Sequence, residues 1–244
     1  MKVALVTGAS SGIGAAIAIA FAEAGWSVMA AGRNEGRLEE VADVSDSIST
    51  WAGDLEASDD CDELIADTVD EFGGLDCLVN AAGVLIRGIA EETSDDDWGE
   101  TIGINLDVPF YLSRAAIPHL IKSEGSIVNI ASNWGLKAGE RAVAYCASKG
   151  GLIMMTRAMA VDHAAEGVRI NAICPGGVDT PMLVAETEEK GEDVDEFLDD
   201  VASNSPNRRI AAPEDIAGLA LFLASDAASH MTGTAIPIDG GLMA

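Results

Sequence analysis

Positive charge is what this sequence has least of. Its 244 residues carry 14 Lys and Arg against 41 Asp and Glu, a formal net charge of −27. Nucleic acids and anionic membrane surfaces need a positive footprint, so both are excluded as partners. Cysteines number four, Cys61, Cys77, Cys146 and Cys174, and they lie far apart. With no CxxC and no Cys/His group at ligand spacing, neither a disulfide framework nor a metal site is expected. Cys77, Cys146 and Cys174 sit in apolar or small-residue stretches, which suits buried thiols in a reducing compartment. No apolar run reaches the roughly 18 residues of a membrane span, and Met1-Lys2 leads straight into a strand-like run, so a cytoplasmic protein is expected. No internal repeat or Pro/Ser/Gly linker divides the chain, which leaves one domain over residues 1–244.

What is present is apolar material in regular instalments. Hydrophobic residues make up 48 % of the chain, enough for a sizeable core. Strand-length apolar runs recur at Val3–Val6, Val28–Ala31, Leu78–Val79, Ile127–Ile130, Ile170–Ile173 and Ala235–Ile238, with a weaker one at Ile48–Trp51. Helix-patterned stretches separate them: Gly14–Ala24, Asp60–Phe72, Asp97–Ile121, Ala144–Ala165 and Pro213–Ala224. Continuously apolar strands alternating with helices predict an α/β fold, a doubly wound, Rossmann-type parallel sheet with helices on both faces. Residues 182–205 break the rhythm; they are acidic and lie between Pro181 and Pro206. A short helix pair over a cleft or a surface loop would explain them, and their place after a glycine-rich strand end favours a substrate lid.

The first strand runs into Thr7-Gly8-Ala9-Ser10-Ser11-Gly12-Ile13-Gly14 and then a helix. Gly8 permits a tight turn, Gly12 lets backbone N–H groups approach a phosphate, and Gly14 lets the helix pack closely. The helix N-terminus adds a field that favours pyrophosphate. Gly8, Ser11, Gly12, Ile13 and Gly14 are therefore candidate dinucleotide contacts. The spacing T-G-x-x-x-G-x-G resembles that of the short-chain dehydrogenase/reductase family.

Tyr145 and Lys149 stand at i and i+4, on one face of a predicted helix. A lysine ammonium beside a phenol stabilises phenolate and lowers a pKa that starts near 10, so the tyrosine can exchange a proton with an alcohol. Ser132 lies thirteen residues before Tyr145, at a strand end where open α/β sheets place site residues, and its hydroxyl can hold a substrate oxygen. Only two tyrosines and five lysines occur in the chain, so their pairing behind a suitable serine is informative. The family resemblance makes Ser132, Tyr145 and Lys149 a catalytic triad, with Tyr145 and Lys149 also contacting cofactor. It adds Asn105 as a fourth catalytic residue, a mid-helix Asn that distorts its helix and anchors a proton relay. It further implies that Asp54 and Leu55 meet adenine, and that Asn80, Ala82 and Gly83 line the cofactor; Ala81 departs from the family's N-N-A-G. Pro175, Gly176, Val178 and Thr180 resemble the segment that clasps the nicotinamide, and the C-terminal Ile238-Asp239-Gly240-Gly241 implies subunit contacts in a homotetramer. Trp134 and Leu136, just after Ser132, either line the substrate pocket or pack in the core; Trp134, Ser132 and Tyr145 are the candidate substrate contacts.

Cofactor choice turns on the end of the second strand, where NAD-using relatives carry an acid for the ribose 2′-OH. Gly32 takes that place and Arg33 follows. An arginine fork suits a 2′-phosphate, so NADP is favoured, with NAD left open. The expected activity is an NAD(P)-dependent interconversion of a small-molecule secondary alcohol and ketone. A 3-oxoacyl thioester reductase is the rival: Arg87, Arg141, Arg208 and Arg209 offer a basic patch for a phosphate-bearing carrier, but the acidic lid opposes it. A silent cofactor-sensing protein is disfavoured by the intact set of catalytic candidates.

The acidity itself predicts a salt-rich cytoplasm, because self-repulsion at −27 is relieved by screening. The thermal midpoint should rise between about 0.1 and 3 M KCl as the Debye length shrinks; a flat or falling midpoint would contradict this.

Overall fold

The computed structural model describes all residues except Lys190 and Glu192, and omits the side chains of Glu186, Glu188 and Glu189. Seven parallel strands form one sheet in the order β3-β2-β1-β4-β5-β6-β7. They are β1 (Val3–Thr7), β2 (Ser27–Gly32), β3 (Ile48–Ala52), β4 (Cys77–Asn80), β5 (Ser126–Ile130), β6 (Arg169–Pro175) and β7 (Ala235–Ile238). All seven predicted strands are present. Alternation along β1 shows why the runs are unbroken: Ala4 and Val6 join one hydrophobic cluster, Val3 and Leu5 the other. Side chains of a strand point to opposite faces, so a sheet covered on both sides needs apolar residues at every position.

Against the Ala4/Val6 face pack α1 (Gly12–Glu23), α2 (Glu35–Ala42) and α9 (Pro213–Ala224), through Ile17, Phe21, Leu38, Ile216 and Leu223. The opposite face receives α3 (Ser58–Phe72), α5 (Val108–Ser123) and α6 (Val143–His163), through Leu64, Leu112, Leu120 and Ala160. Cys77 and Cys174 are buried as expected, whereas Cys146 is half-buried.

Three features differ from the sequence reading or settle it. Helix α2 was not foreseen; its signals are Asn34, whose Oδ1 accepts from Arg37 N–H at 3.0 Å, and buried Leu38 and Val41 at i and i+3. The single helix expected over Asp97–Ile121 is three pieces: α4 (Asp95–Ile102), a π-helical turn over Gly103–Asp107, and α5. Its start is fixed by a capping box in which Ser94 and Asp97 exchange hydrogen bonds of 3.0 and 3.3 Å. The acidic stretch after β6 folds as two short helices, α7 (Pro181–Glu189) and α8 (Val194–Asn204), with Lys190 and Glu192 outside the described residues.

Candidate active site

Strand order reverses between β1 and β4, and a crevice opens beyond the carboxyl ends of the strands at such a point. Thr7, the last residue of β1, fixes its geometry. Its buried hydroxyl accepts the backbone N–H groups of Ala81 and Ala82, each at 3.2 Å, and so ties the turn after β1 to the turn after β4. Gly8 then turns at φ +65°, and a Cβ there would fall 2.8 Å from Ala82 N. A Cβ on Gly14 would lie 2.2 Å from Gly8 O, so only glycine lets α1 seat directly on the loop.

Two connected hollows result. The larger, about 760 Å³, is walled by Gly8, Ser11, Gly12, Ile13 and Gly14 at its centre, with Ala82, Gly83 and Thr180 on one side. Arg33, Asp54 and Leu55 stand at its outer end. Arg33 Nε lies 4.0 Å from Asp54 Oδ1, with both side chains largely exposed, so the pair constrains the arginine weakly. Arg37, one turn into α2, lines the same end. Glycine-bounded backbone at a helix N-terminus, with two guanidiniums at the far end, fits an extended dinucleotide of the NAD(P) type.

The smaller hollow, about 310 Å³, holds Ser132, Trp134, Tyr145, Lys149, Pro175, Gly176 and Val178. Ile13, Ala81, Gly83, Thr180 and Met182 border both hollows, so the two are continuous. Ser132 follows β5 in extended conformation, and its Oγ accepts from Trp134 N–H at 3.1 Å. The Trp134 and Tyr145 rings meet edge to face, with centroids 6.0 Å apart. Lys149 is only 4 % exposed. Its Nζ donates to Ile130 O at 2.9 Å and lies 5.8 Å from the Tyr145 ring centroid. Burial pushes its pKa down from 10.5 to about 8.

Asn105 occupies the π-helical turn, fully buried. Its Oδ1 accepts from Val84 N–H at 2.9 Å, and its Nδ2 donates to Val84 O at 2.9 Å and to Ser148 Oγ at 3.1 Å. Ser148 in turn donates to Tyr145 O at 2.8 Å. A Cβ at Gly83 would meet Asn105 Oδ1 at 3.1 Å and Lys149 Nζ at 3.4 Å, so Gly83 packs against both side chains. The four catalytic candidates thus converge, three in the cavity wall and Asn105 behind them.

Asn80 lies elsewhere. It is buried beneath the crevice, donating to Asn129 Oδ1 at 2.8 Å and Ser113 Oγ at 3.3 Å, and its side chain lines neither hollow. Trp134 faces the cavity, while Leu136 packs with Ala131, Leu152 and Cys174. Of the basic candidates only Arg87 lines the small hollow; Arg141 pairs with Glu92, Arg209 with Asp215, and Arg208 donates to Ser203 O at 2.7 Å. The sequence reading missed Thr7, Val84, Ser148, Arg37 and Lys137 as site residues. For Arg37 the signal was available, since it stands four residues after Arg33 on a capped helix.

The depressed Lys149 value has a measurable consequence. From about pH 8 to 10.5 the folded chain holds Lys149 neutral while the unfolded chain still binds the proton, so this group's contribution to stability rises with pH. Buried Cys61 and Cys77, both pushed up to about 12, act in the opposite sense above the ordinary thiol value of 9.0. Comparison with Lys149→Met isolates the lysine: by denaturant unfolding, wild type should gain on the variant across pH 8 to 10.5. A gap independent of pH would contradict the assignment.

Known proteins share this fold. A family model described as enoyl-(acyl carrier protein) reductase matches residues 8–243. The chain is 38 % identical over 245 residues to meso-2,3-butanediol dehydrogenase of Serratia marcescens, covering 100 % of this chain and 95 % of that protein. It is 35 % identical to the 3-oxoacyl-acyl-carrier-protein reductase of Thermotoga maritima, covering 99 % of this chain and 98 % of the relative. Among solved structures, an actinorhodin polyketide ketoreductase variant with NADPH superposes with a TM-score of 0.94 at 30 % identity, over 99 % of this chain and 97 % of that one. Matches of this extent establish that the chain belongs to the short-chain dehydrogenase/reductase family.

Proposed function

We propose that the chain is an NAD(P)-dependent oxidoreductase that interconverts a secondary alcohol and a ketone. The observation that carries this reading is the convergence of Ser132, Tyr145 and Lys149 on a small cavity continuous with a dinucleotide-sized cleft. Bound nicotinamide supplies or accepts the hydride. Ser132 Oγ holds the substrate oxygen, and Tyr145 gives that oxygen a proton in reduction or takes it in oxidation. Lys149 holds the nicotinamide ribose, and its ammonium favours the phenolate form of Tyr145. Asn105, by shaping the π-helical turn beside Lys149, anchors the proton relay.

NADP is the favoured cofactor. Arg33 and Arg37 bring two guanidiniums to the outer end of the cleft, and Gly32 presents no carboxylate to repel a 2′-phosphate. The remaining cofactor contacts are Gly8, Ser11 to Gly14, Asp54, Leu55, Ala82, Gly83, Pro175, Gly176, Val178 and Thr180, with Asn80 supporting them from below. Helices α7 and α8 act as a lid: Met182 and Leu183 from one and Phe197 and Val201 from the other wall the small hollow. Exposed Trp98, Phe110, Val161 and Phe222 suit faces covered in a homotetramer. The acidic surface fits a salt-rich cytoplasm, and no helix of the described residues is long and apolar enough to cross a membrane. The 3-oxoacyl thioester reductase of Thermotoga maritima keeps a second reading in view, with Arg87 as its one basic candidate at the cavity.

A nicotinamide absorbance assay over a panel of alcohols and ketones at high salt tests both levels. Tyr145→Phe should leave less than about 1 % of the wild-type rate with cofactor binding retained; a larger residual rate would remove Tyr145 as the acid/base. Arg33→Ala should raise KM for NADP and spare that for NAD, whereas equal effects would refute the 2′-phosphate contact.

A further inference from the structure

The small hollow reverses the charge pattern of the molecule. Asp and Glu supply 41 of the 244 residues, yet none is among the described residues lining this cavity. The charged residues among those described there are all cations: Lys149 at the reacting end, and Arg87 and Lys137. The latter two come from different segments, the turn after β4 and the turn after β5. Arg87 is held in place rather than extended into solvent. Its Nη1 donates to Glu140 O at 2.7 Å, and its Cζ lies 4.7 Å from the centroid of the Trp134 ring, whose edge contact with Tyr145 leads back to the reacting group. Lys137 is anchored through its backbone, N–H to Asn133 O at 2.9 Å, one turn after Ser132. Leu85, Leu183, Phe197, Val201 and Leu242 supply apolar wall.

Resting on the oxidoreductase reading above, we propose that the substrate is a small hydroxy or oxo acid whose carboxylate is held by Arg87 and Lys137 while its reacting carbon faces Ser132 and Tyr145. A planar guanidinium fork matches a carboxylate, and an ammonium adds charge. The apolar wall takes the intervening carbons. A surface at −27 repels anions at long range, so an anionic substrate would need local cations at its site, and the cavity concentrates them. The volume of about 310 Å³ stands at the small end for ligand sites, which fits a free acid better than a carrier-bound acyl chain.

The test compares matched pairs: 3- to 5-hydroxy carboxylates of four to eight carbons, their primary amides, and the corresponding 3-oxoacyl thioesters. The acid should exceed its amide in kcat/KM by about tenfold or more, through KM. Arg87→Met and Lys137→Met should each erode that acid-over-amide preference by about tenfold, with Arg87→Lys recovering only part of it and Lys137→Arg most of it. An amide used as well as its acid, a preference unchanged in both Met variants, or a thioester outperforming the free acid would each overturn the proposal. Should no member be turned over with either nicotinamide, it is the oxidoreductase reading that fails. Calorimetric titration of acid and amide into the cofactor-loaded protein still decides the anion site: tighter acid binding that Arg87→Met abolishes supports it, and equal or absent binding overturns it.

Discussion

One buried ammonium organises the functional end of this molecule. Lys149 is nearly sealed from water, and its Nζ donates to the carbonyl of Ile130 at 2.9 Å. Burying a charge is costly unless it is hydrogen-bonded or gives up its proton, and the depressed proton affinity of Lys149 expresses that cost. The carbonyl is available because β5 ends at Ile130. The helix that carries Lys149 also carries Tyr145 one turn earlier, and Ser132 follows two residues after the accepting carbonyl. This hydrogen bond ties the strand end to the helix, and so helps to fix the relative positions of all three groups.

The surroundings of Lys149 are built to hold that geometry. Asn105 spends its whole side-chain amide on Val84 and Ser148, pinning the turn after β4 and helix α6 to the π-helical segment. Deeper in, Asn80 donates to Asn129, and Asn129 donates to Thr156 at 2.8 Å, a polar chain crossing from β4 through β5 to α6. Each link resists breaking, because an unpaired donor would be left in a low-dielectric interior, while Asn80 Oδ1 has no partner among the described residues. On the other side, Thr7 ties the phosphate loop to the turn after β4. The cleft and the reacting cavity thus share Ala81 and Gly83 of that turn, together with Ile13, Thr180 and Met182.

Much of this was legible in the sequence, for definable reasons. Strand identities and order of elements followed from apolar runs, because a doubly covered parallel sheet leaves no polar alternation to misread. The glycine loop was legible because its backbone leaves little choice: a Cβ would fall 2.8 Å from Ala82 N at Gly8 and 2.2 Å from Gly8 O at Gly14, and Gly12 stands at φ +54°. Ser132, Tyr145 and Lys149 were legible through residue scarcity and helical spacing. Asn105 was not readable from its neighbours at all: its partners Val84 and Ser148 are 21 and 43 residues away, and only the family resemblance singled it out. Helix α2 was lost among polar residues, because it presents only Leu38 and Val41 to the core. The break at Gly103–Asp107 was hidden from periodicity, because a π turn preserves helical composition while shifting its phase, and only the family resemblance implied a distortion at Asn105.

The net charge of −27 surrounds the reacting cavity, and no acid is among the described residues that line it. Scarce cations are concentrated where chemistry needs them, and the central claim is that the Lys149 ammonium sets the proton affinity of Tyr145. The two groups titrate as a pair, so apparent values belong to both. With Tyr111 replaced by Phe, Tyr145 is the only tyrosine in the chain, and one ring-carbon NMR resonance follows its ionisation directly in the cofactor-loaded protein. Tyr145 should ionise below the ordinary phenol value near 10 and move upward when Lys149→Met is added. Ionisation at or above that ordinary value, or a titration that Lys149→Met leaves in place, would contradict it.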